Sequence, residues 1–399
     1  AAQFTPELPL VALHGPDRAK RREEALDADH VITTYQLLAR DADWLATQHE
    51  PLVILDEAQT LKNPASQMAK SLRDIPATGR VALTGTPLEN SLQDLWTLID
   101  WVNPGLLGDR KTFTSLFRTP IEKHGDAAAQ ARLNRRLRPF LLRRTKEEVA
   151  AELPPKTEIL ERVDLPKPQQ ALYEAVRSAM DERVRKAIAD RGLARARITV
   201  LDALLKLRQV CCDPSLVKTK AAKNVSDSAK RERLRALLSE LVAEGRRVLV
   251  FSQFVEMLRL IETDLKQDGI KTLTLTGSTT NRSEVLEAFS QGGASVFLLS
   301  LKAGGVGLTL TEADTVILYD PWWNPAVERQ AMDRAHRIGQ DKPVFVHRLV
   351  AAGTVEEKIL DMQARKQALA DALFDKEGTA SETLLDEATL QDLFAPLAT

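Results

Sequence analysis

The sequence has few cysteines, almost no net charge and no long apolar run. Cys211 and Cys212 are adjacent, so they cannot easily bridge each other, and two are too few for a disulfide framework or a zinc site. The 55 basic and 56 acidic side chains give a net charge of −1, so overall charge says nothing about partners. Because no apolar run approaches membrane-spanning length and the N-terminus lacks a signal-peptide pattern, we expect no membrane partner.

The alternation of apolar and amphipathic segments predicts an α/β protein with parallel sheets. In residues 1–150 the predicted strands are Leu10–Leu13, His30–Thr33, Leu52–Leu55 and Arg80–Leu83, and the predicted helices are Asp17–Ala28, Pro64–Arg73 and Ser91–Trp101. A second series begins near Arg246. Its predicted strands are Val248–Phe251, Thr272–Leu275, Ser295–Leu299, Thr315–Tyr319 and Val344–Leu349, and its predicted helices are Val255–Gln267, Asn281–Ser290, Ala326–Ile338 and Val355–Phe374.

Composition between the two series predicts the domain boundaries. Glu152–Lys156 reads ELPPK and is predicted to be a linker, because consecutive prolines interrupt both helix and sheet. A long helical region, Lys167–Val210, follows, and Lys218–Lys230 is predicted to be a flexible basic loop. We therefore predict a first lobe in residues 1–150, a linker and helical protrusion in 151–230, a second lobe in 231–375 and a polar tail in 376–399.

Polar residues follow two predicted strands of the first half. Asp56 and Glu57 end the apolar run in PLVILDEAQ. A strand-end Asp can hold magnesium, directly or through water, and a neighbouring Glu can polarise an attacking water. By itself, the pattern also fits a strand that ends in two solvated acids. In the next segment, LTGTPLEN, Thr84 and Thr86 can hydrogen-bond the acidic pair, and Gly85 permits a tight turn.

Two segments of the second half contain residues suited to phosphate binding. In SLKAGGVGLTL, Gly305 and Gly307 allow the backbone to approach a phosphate closely. In Gln330–Gln340, Arg334 and Arg337 lie three residues apart on one face of a predicted helix. Planar, always-charged guanidiniums suit a polyanion such as a triphosphate. The simpler interpretation is a basic helix face with a local ion pair.

Two other segments have features of nucleic-acid contact. Tyr319–Pro325 contains Trp322 and Trp323 in a proline-bounded turn, where an aromatic can stack on or wedge against bases, although tryptophan more often packs in a core. We favour Trp323 for this contact. Residues Arg132–Lys146 include seven basic and no acidic side chains, which fits either a solvated helix face or contact with a phosphate backbone.

The combination of motifs resembles a known family. DEAQ, LTGTPLEN, FLLRRTKEEV, LRQVCCDP, VFSQF, AGGVGLTLTEADTVILYDPWWNP and QAMDRAHRIGQ occur in the order found in Swi/Snf-type ATPases of the helicase-like superfamily, the motors of chromatin remodelling and their bacterial relatives. The resemblance covers about His30–Phe374. It implies two RecA-like lobes with a helical insertion between them, which close on ATP and Mg²⁺ in a cleft and track along one strand of double-stranded DNA without separating the strands.

The resemblance also implies roles for individual residues. Asp56 and Glu57 match the magnesium-binding and water-activating pair, and Arg334 and Arg337 match the arginines that reach the γ-phosphate. The other matches are Thr84, Gly85 and Thr86 in the coupling motif of the first lobe, Gln330, Gly305 and Gly307 in nucleotide-linked motifs of the second lobe, Trp323 at DNA, and Arg143, Arg144 and Lys146 in the inter-lobe block.

One element of the family pattern is missing. No Gly-x-x-x-x-Gly-Lys-Ser/Thr phosphate loop occurs in the 399 residues, and His14–Lys20 lacks the second Gly-Lys-Ser/Thr. With no initiator Met, we interpret the chain as a fragment whose first lobe is incomplete and which is inactive alone. Its parent is expected to be an ATP-dependent double-stranded DNA translocase. DNA-bound proteins or RNA polymerase are further candidate partners, and the expected location is cytoplasmic, at a bacterial nucleoid, or nuclear.

Two other functions remain open. The chain can be a non-hydrolysing nucleic-acid or protein-binding module that keeps the two-lobe shape. A strand-separating helicase of the same superfamily is the third possibility, although RAHRIGQ and the tryptophan segment fit duplex tracking better.

Overall fold

The computed structural model describes residues 5–48, 50–61, 64, 66–85, 92–144, 146–150, 152–304, 308–374 and 387–397. The chain divides into two compact units, the first chiefly Ala1–Phe140 and the second Leu141–Gly378 with Glu382–Thr399. Both contain parallel strands and helices, so the predicted α/β class is confirmed. Within the described residues, no helix is both long and apolar enough to cross a bilayer.

The first unit contains two pairs of parallel strands. Strand β1 (Leu10–Ala12) pairs with β2 (His30–Ile32), and β3 (Glu50–Leu55) pairs with β4 (Ala77–Ala82). Its helices are α1 (Arg22–Leu26), α2 (Tyr35–Leu38), α3 (Ala42–Ala46), α4 (Gln67–Asp74), α5 (Leu92–Val102), α6 (Arg110–Phe113), α7 (Thr119–His124) and α8 (Ala127–Leu137). Apolar side chains of α4, α5 and the end of β3 pack together around Trp101. Because β3 and β4 are parallel, the residues that follow them lie at one edge of this pair.

One face of the β3–β4 pair is exposed. Leu52, Ile54 and Val81 are 50%, 55% and 39% exposed. Parallel strands are normally covered on both faces. These side chains therefore lack, among the described residues, the cover that parallel strands usually have.

The second unit is built on a six-stranded parallel sheet in the order β5-β10-β9-β6-β8-β7. Its strands are β5 (Lys156–Val163), β6 (Val248–Ser252), β7 (Thr272–Leu275), β8 (Val296–Ser300), β9 (Thr315–Leu318) and β10 (Val344–Ala351). Every residue of β6, β8 and β9 is buried, as expected for continuous apolar strands covered by helices on both faces. The carboxyl ends of these central strands carry several of the predicted functional segments.

The helices of the second unit are α9 (Lys146–Val149), α10 (Lys167–Arg191), α11 (Leu193–Cys212), α12 (Ala229–Ala243), α13 (Val255–Gln267), α14 (Arg282–Ser290), α15 (Leu301–Gly304), α16 (Pro325–Met332), α17 (Val355–Phe374) and α18 (Glu387–Leu393). Of these, α13 and α17 have the predicted bounds and α14 begins one residue later than predicted, whereas α9, α12, α15 and α18 were not predicted. Gly192, with a φ of 74°, separates α10 from α11, where the sequence predicts one helical region.

Strand β5 differs from the predicted organisation. The sequence places Lys156–Val163 in a linker and helical region, whereas all eight residues pair with β10 at the edge of the sheet. Two of its acids are neutralised by the fold, since Glu158 pairs with Arg348 at 3.1 Å and Glu161 with Arg233 at 2.9 Å. Charged residues interrupt this edge strand, so the sequence contains no apolar run that would identify it. The basic residues that pair with its acids are also far away in the sequence.

The C-terminal segment is also more structured than predicted. The sequence predicts a polar tail over 376–399, of which the structure describes 387–397. In that stretch α18 forms, and Leu390, Leu393 and Phe394 are buried in one cluster with side chains of α10, α11 and α17. Apolar residues at positions i, i+3 and i+4 give this short helix a buried face.

The prediction of a flexible loop at Lys218–Lys230 is wrong at its C-terminal end. Helix α12 begins at Ala229, and Lys230 is fully buried. Its Nζ donates to Oε1 and Oε2 of Glu356 at 2.9 and 2.8 Å and lies 5.1 Å from the ring centroid of Tyr319. A buried ammonium requires such a partner, and the sequence cannot indicate one that is 126 residues away.

Candidate functional site

The acidic pair follows β3 in a turn with unusual backbone geometry. Asp56 is exposed, and Glu57 has φ 49° and ψ 47°, the only non-glycine residue with positive φ among those described. The Glu57 backbone N–H donates to Asp56 Oδ1 at 2.9 Å. Two backbone hydrogen bonds, from Ala58 N to Leu83 O and from Leu83 N to Leu55 O, tie this turn to the end of β4. A left-handed Glu costs free energy, and such residues concentrate at functional sites.

The Glu57 carboxylate is held by side chains of both strand-end motifs. Gln59 Nε2 donates to Glu57 Oε2 at 2.5 Å, and the Thr84 hydroxyl donates to Gln59 Oε1 at 2.5 Å. Thr84 therefore reaches the acidic pair through Gln59, a residue to which the sequence assigns no role. The amide is suited to this relay because it donates on one side and accepts on the other.

The other residues of the LTGTP motif give less information. Gly85 is exposed, a Cβ built there meets no atom within 4 Å, and its φ is not positive. The structure therefore gives no steric reason for the predicted tight turn at this glycine. Thr86 lies outside the described residues.

Tyr35, at the start of α2, is a further member of this site that the sequence does not indicate. Its hydroxyl donates to the Asp56 carbonyl oxygen at 2.7 Å. Burial, together with the charges of Asp56 and Glu57, raises the pKa of Tyr35 to about 12. The phenol therefore stays a donor across the physiological range and fixes the backbone of the acid turn.

The acidic turn fits a magnesium-nucleotide complex. Among the described residues, no group of three or more His, Cys, Asp or Glu could hold a metal ion. Magnesium in nucleotide sites is typically bound by one or two carboxylates, water and the substrate phosphates. The exposed Asp56 carboxylate satisfies that limited requirement, and Glu57, anchored through Gln59, is placed beside it.

The arginine segment has a different conformation from the one predicted. Helix α16 ends at Met332, so the prediction that it continues to Ile338 is wrong. Arg334 and Arg337 lie in successive turns and do not share a helical face. Arg334 is 6% exposed and its Nη1 donates to Leu308 O at 3.1 Å, whereas Arg337 is exposed. Gly339, at φ 100°, makes a further turn that a helix would not allow.

Gln340 and Lys146 hold this segment in place. The buried Gln340 amide nitrogen donates to the carbonyl oxygens of Thr311, Ala313 and Ala335 at 2.8–3.0 Å. Lys146 Nζ pairs with Asp333 at 2.5 Å and donates to the His336 carbonyl at 2.9 Å. Lys146, predicted to be in the inter-lobe basic block, therefore braces the arginine segment. The anchoring role of Gln340 was not evident because its acceptors come from a distant loop.

The remaining predicted residues of the second unit have varied surroundings. Gln330 is half-buried on α16. Gly305 and Gly307 lie outside the described residues. Arg143 and Arg144 are exposed in the segment that precedes α9.

The tryptophan loop, Asp320–Asn324, follows β9. Trp322 and Trp323 are half-buried, so each combines a packed part with an accessible part. Each packs on one side against an apolar cluster of the second unit. The loop is closed by Asn324, whose Oδ1 accepts from Ala326 N at 3.1 Å and caps α16. Trp323 keeps part of its ring surface accessible while its position is set by packing.

Comparisons with known proteins agree with these motifs. The SNF2-related domain family matches residues 2–216, and the helicase conserved C-terminal domain family matches residues 229–339. The putative ATP-dependent helicase/translocase YwqA of Bacillus subtilis is 37% identical over 99% of this chain and 43% of its own length. The human SWI/SNF-related matrix-associated actin-dependent regulator of chromatin subfamily A member 1 is 35% identical over 94% of this chain and 37% of its own length.

A solved structure shows the same relationship. The Sulfolobus solfataricus SWI2/SNF2 ATPase core domain is 33% identical, covers 100% of this chain and 81% of that chain, and superimposes with a TM-score of 0.50. The chain spans about two fifths of the length of the curated relatives described above. With a family match over more than half of its residues, this chain belongs to the SNF2-related, Swi/Snf-type ATPase family.

Proposed function

We propose that the protein containing this chain is an ATP-dependent translocase on double-stranded DNA that remodels protein–DNA complexes. The observation that carries the proposal is the anchored acid turn, in which Glu57 has left-handed backbone geometry and is linked through Gln59 to Thr84. A glutamate in left-handed backbone geometry beside an exposed aspartate, with a second motif attached to it, is suited to chemistry. Membership of an ATPase family supports the same conclusion.

The acid turn supplies the base for hydrolysis. Asp56 would hold the magnesium ion of the nucleotide, and the ion would neutralise charge on the β- and γ-phosphates. Glu57 orients water for attack on the γ-phosphorus and accepts its proton. Thr84, Gly85 and Thr86 belong to one motif. Through this motif, a change in nucleotide state at the acid turn is transmitted to the rest of the first unit.

The second unit supplies positive charge for the phosphates. Arg337 is the better candidate for direct contact with the γ-phosphate because it is exposed, whereas Arg334 is partly used in holding the backbone at Leu308. Gln330, Gly305 and Gly307 are proposed to contact the nucleotide from the same unit. A guanidinium that stabilises charge in the transition state is worth about a thousandfold or more in rate.

Contact with duplex DNA is proposed for Trp323 and for the exposed arginines before α9. Arg143 and Arg144 can neutralise backbone phosphates, while a partly accessible indole can stack or wedge at a base step. Lys146, which is engaged with Asp333, is proposed to link this basic segment to the arginine segment. DNA-bound proteins or RNA polymerase are proposed as the cargo of the motor.

Substitution of Glu57 tests the proposal. In a protein that includes this chain and a phosphate-binding loop, Glu57→Gln should lower DNA-stimulated phosphate release by about 100-fold or more, the range for loss of a general base, while retaining ATP binding. Glu23→Gln, at an exposed position on α1, is the matched control and should leave the rate unchanged. Equal rates for Glu57→Gln and the control would count against hydrolysis at this turn.

The main alternative is a non-hydrolysing nucleic-acid or protein-binding module. A Gly-Lys-Ser/Thr phosphate loop elsewhere in the longer protein would support the translocase, and its absence there would support the module. The two proposals differ in the longer protein: duplex binding with no DNA-stimulated phosphate release supports the module. Triplex displacement without duplex unwinding supports the translocase over a strand-separating helicase.

A further inference from the structure

Arg208, on α11, is a buried arginine attached to the tryptophan loop. Its side chain is 2% exposed, and its Nη2 donates to the Pro321 carbonyl at 2.6 Å. The same nitrogen lies 3.6 Å from Asp320 Oδ2. The sequence places Arg208 in LRQVCCDP but assigns it no role.

The guanidinium of Arg208 is surrounded by aromatic rings. Its central carbon lies 5.4 Å from the ring centroid of Trp322, 5.9 Å from that of Trp323 and 5.9 Å from that of Phe254. Among the described residues, Arg208 Nε has no hydrogen-bond partner. The ring contacts, one carbonyl oxygen and one carboxylate therefore offset the free-energy cost of burying this cation. Stacking against several rings suits the planar guanidinium better than an ammonium.

The carboxylate beside Arg208 is anchored to a neighbouring strand. Ser252 Oγ donates to Asp320 Oδ1 at 2.5 Å, and Gln253 N lies 3.3 Å from the same oxygen. Asp320 is almost completely buried. Arg208 therefore lies where α11, the end of β6 and the end of β9 meet, and its hydrogen bond, its ion pair and two of its three ring contacts are with the tryptophan loop.

We propose that Arg208 is a positioning residue that sets the orientation of Trp323 for contact with duplex DNA. The inference rests on the DNA role proposed above for Trp323. Arg208 does not touch the nucleic acid. It fixes the backbone at Pro321 and packs against both indoles, so that the exposed part of Trp323 is presented in one orientation.

The placement of Trp323 can be measured without DNA. In the 399-residue chain labelled with 5-fluorotryptophan, Arg208→Met should shift the ¹⁹F resonances of Trp322 and Trp323 and leave those of Trp44, Trp96 and Trp101 in place. Substitution of each indole by Phe assigns its resonance. Arg208→Lys keeps the charge without the planar stacking and should shift the same two resonances by a smaller amount.

Arg246 provides a matched control at the opposite ends of the strands. It is another partly buried arginine, with Nε 3.2 Å from Asp314 Oδ1 and its guanidinium carbon 4.5 Å from the centroid of Phe345. Arg246→Met should lower the urea midpoint as Arg208→Met does but leave both indole resonances unchanged. A purely structural role for Arg208 predicts that the two variants behave alike.

Affinity for a fluorescent DNA duplex tests the functional consequence. Arg208→Met should weaken binding by about tenfold, within the range for losing one base–aromatic stack, and should add no further loss in a Trp323→Ala background. Unmoved indole resonances, or an equal loss in the presence and absence of Trp323, would overturn the inference. If Arg208→Met does not fold, Arg208→Lys is judged by the same two criteria. If the unsubstituted chain binds no duplex, the proposed DNA function fails, while the resonances still decide whether Arg208 positions Trp323.

Discussion

Arg334 and Arg337 belong to the same sequence motif but have different surroundings in the fold. The Arg334 guanidinium is buried against Leu308, and the backbone carbonyl oxygen of Arg334 accepts a hydrogen bond from Leu310 N at 3.0 Å. Arg337 projects from the next turn into solvent. A buried arginine contributes to both stability and function, whereas an exposed one has little structural reason to be present.

The two arginines should therefore separate in a pair of alanine substitutions. We expect Arg337→Ala to change the free energy of unfolding by less than about 0.5 kcal/mol. Arg334→Ala should lower it by about 1–3 kcal/mol, because the Leu308 carbonyl loses its donor. Urea unfolding of the chain measures both values. In the longer protein, both variants should lose DNA-stimulated ATPase activity, and wild-type turnover by Arg337→Ala would contradict its phosphate role.

The three tyrosines provide a prediction about pH. Burial is the largest cause that raises the pKa of Tyr35 to about 12, and burial also raises the pKa of Tyr173 and of Tyr319 above the ordinary phenol value. The folded chain therefore keeps its phenolic protons above pH 10, where the unfolded chain releases them. The resulting stabilisation is complete below pH 10 and is lost as pH rises through the folded-state pKa.

Ultraviolet titration measures this effect. Absorbance of tyrosinate near 295 nm should stay low at pH 10–11 in the folded chain and should rise near pH 10 in urea. The urea midpoint should fall as pH increases above 10. Ionisation of one or more tyrosines at pH 10 in the folded chain would show that those side chains are not buried as described.

At the scale of elements, the sequence predicts locally specified segments accurately and segments that depend on distant partners poorly. Strand β7 and helices α13 and α17 have the predicted bounds because strong periodicity or a buried apolar run specified them locally. Strand β5 and helix α18 depend on distant partners. The predicted end of α16 was incorrect because Gln340 and Lys146 hold residues 333–340 in turns, and these contacts outweigh helix propensity.

Helix α18 is expected to be stable only while docked. A seven-residue helix does not persist alone in water, so packing of Leu390, Leu393 and Phe394 must hold it. Phe394→Ala should remove about 3–5 kcal/mol of packing free energy and release the segment. Hydrogen exchange at 387–397 should then become fast. Gln391→Ala, at an exposed position of the same helix, should leave exchange slow; fast exchange in the unsubstituted chain would mean that α18 does not dock.

At the scale of the whole molecule, the chain contains the acid turn and the arginine segment but no phosphate loop. A phosphate loop supplies backbone N–H groups and a lysine to the β- and γ-phosphates. The relatives described above extend well beyond the matched region, since this chain spans 43% and 37% of them. We therefore propose the complete ATPase activity for the longer protein.

The 399-residue chain alone should hydrolyse ATP at a negligible rate, and duplex DNA should not stimulate it. It should still bind duplex DNA, with an affinity that falls linearly with salt on logarithmic axes, because arginines such as Arg143 and Arg144 displace counterions. Phosphate release and fluorescence anisotropy measure the two properties. Phosphate release at a normal motor rate by this chain would contradict the assignment, and salt-independent binding would contradict backbone contact.

The sequence by itself determined the α/β class, the core strands and the family, because apolar runs and motif order are local properties of the chain. It also predicts functional chemistry at Asp56, Glu57, Arg334 and Arg337. Only the tertiary structure decided that Arg334 is buried while Arg337 is exposed, that Gln59 links Glu57 to Thr84, and that Arg208 packs against the tryptophan loop. Each of these depends on a contact between segments that are distant in sequence or on a turn held by such contacts, and local periodicity carries no information about them.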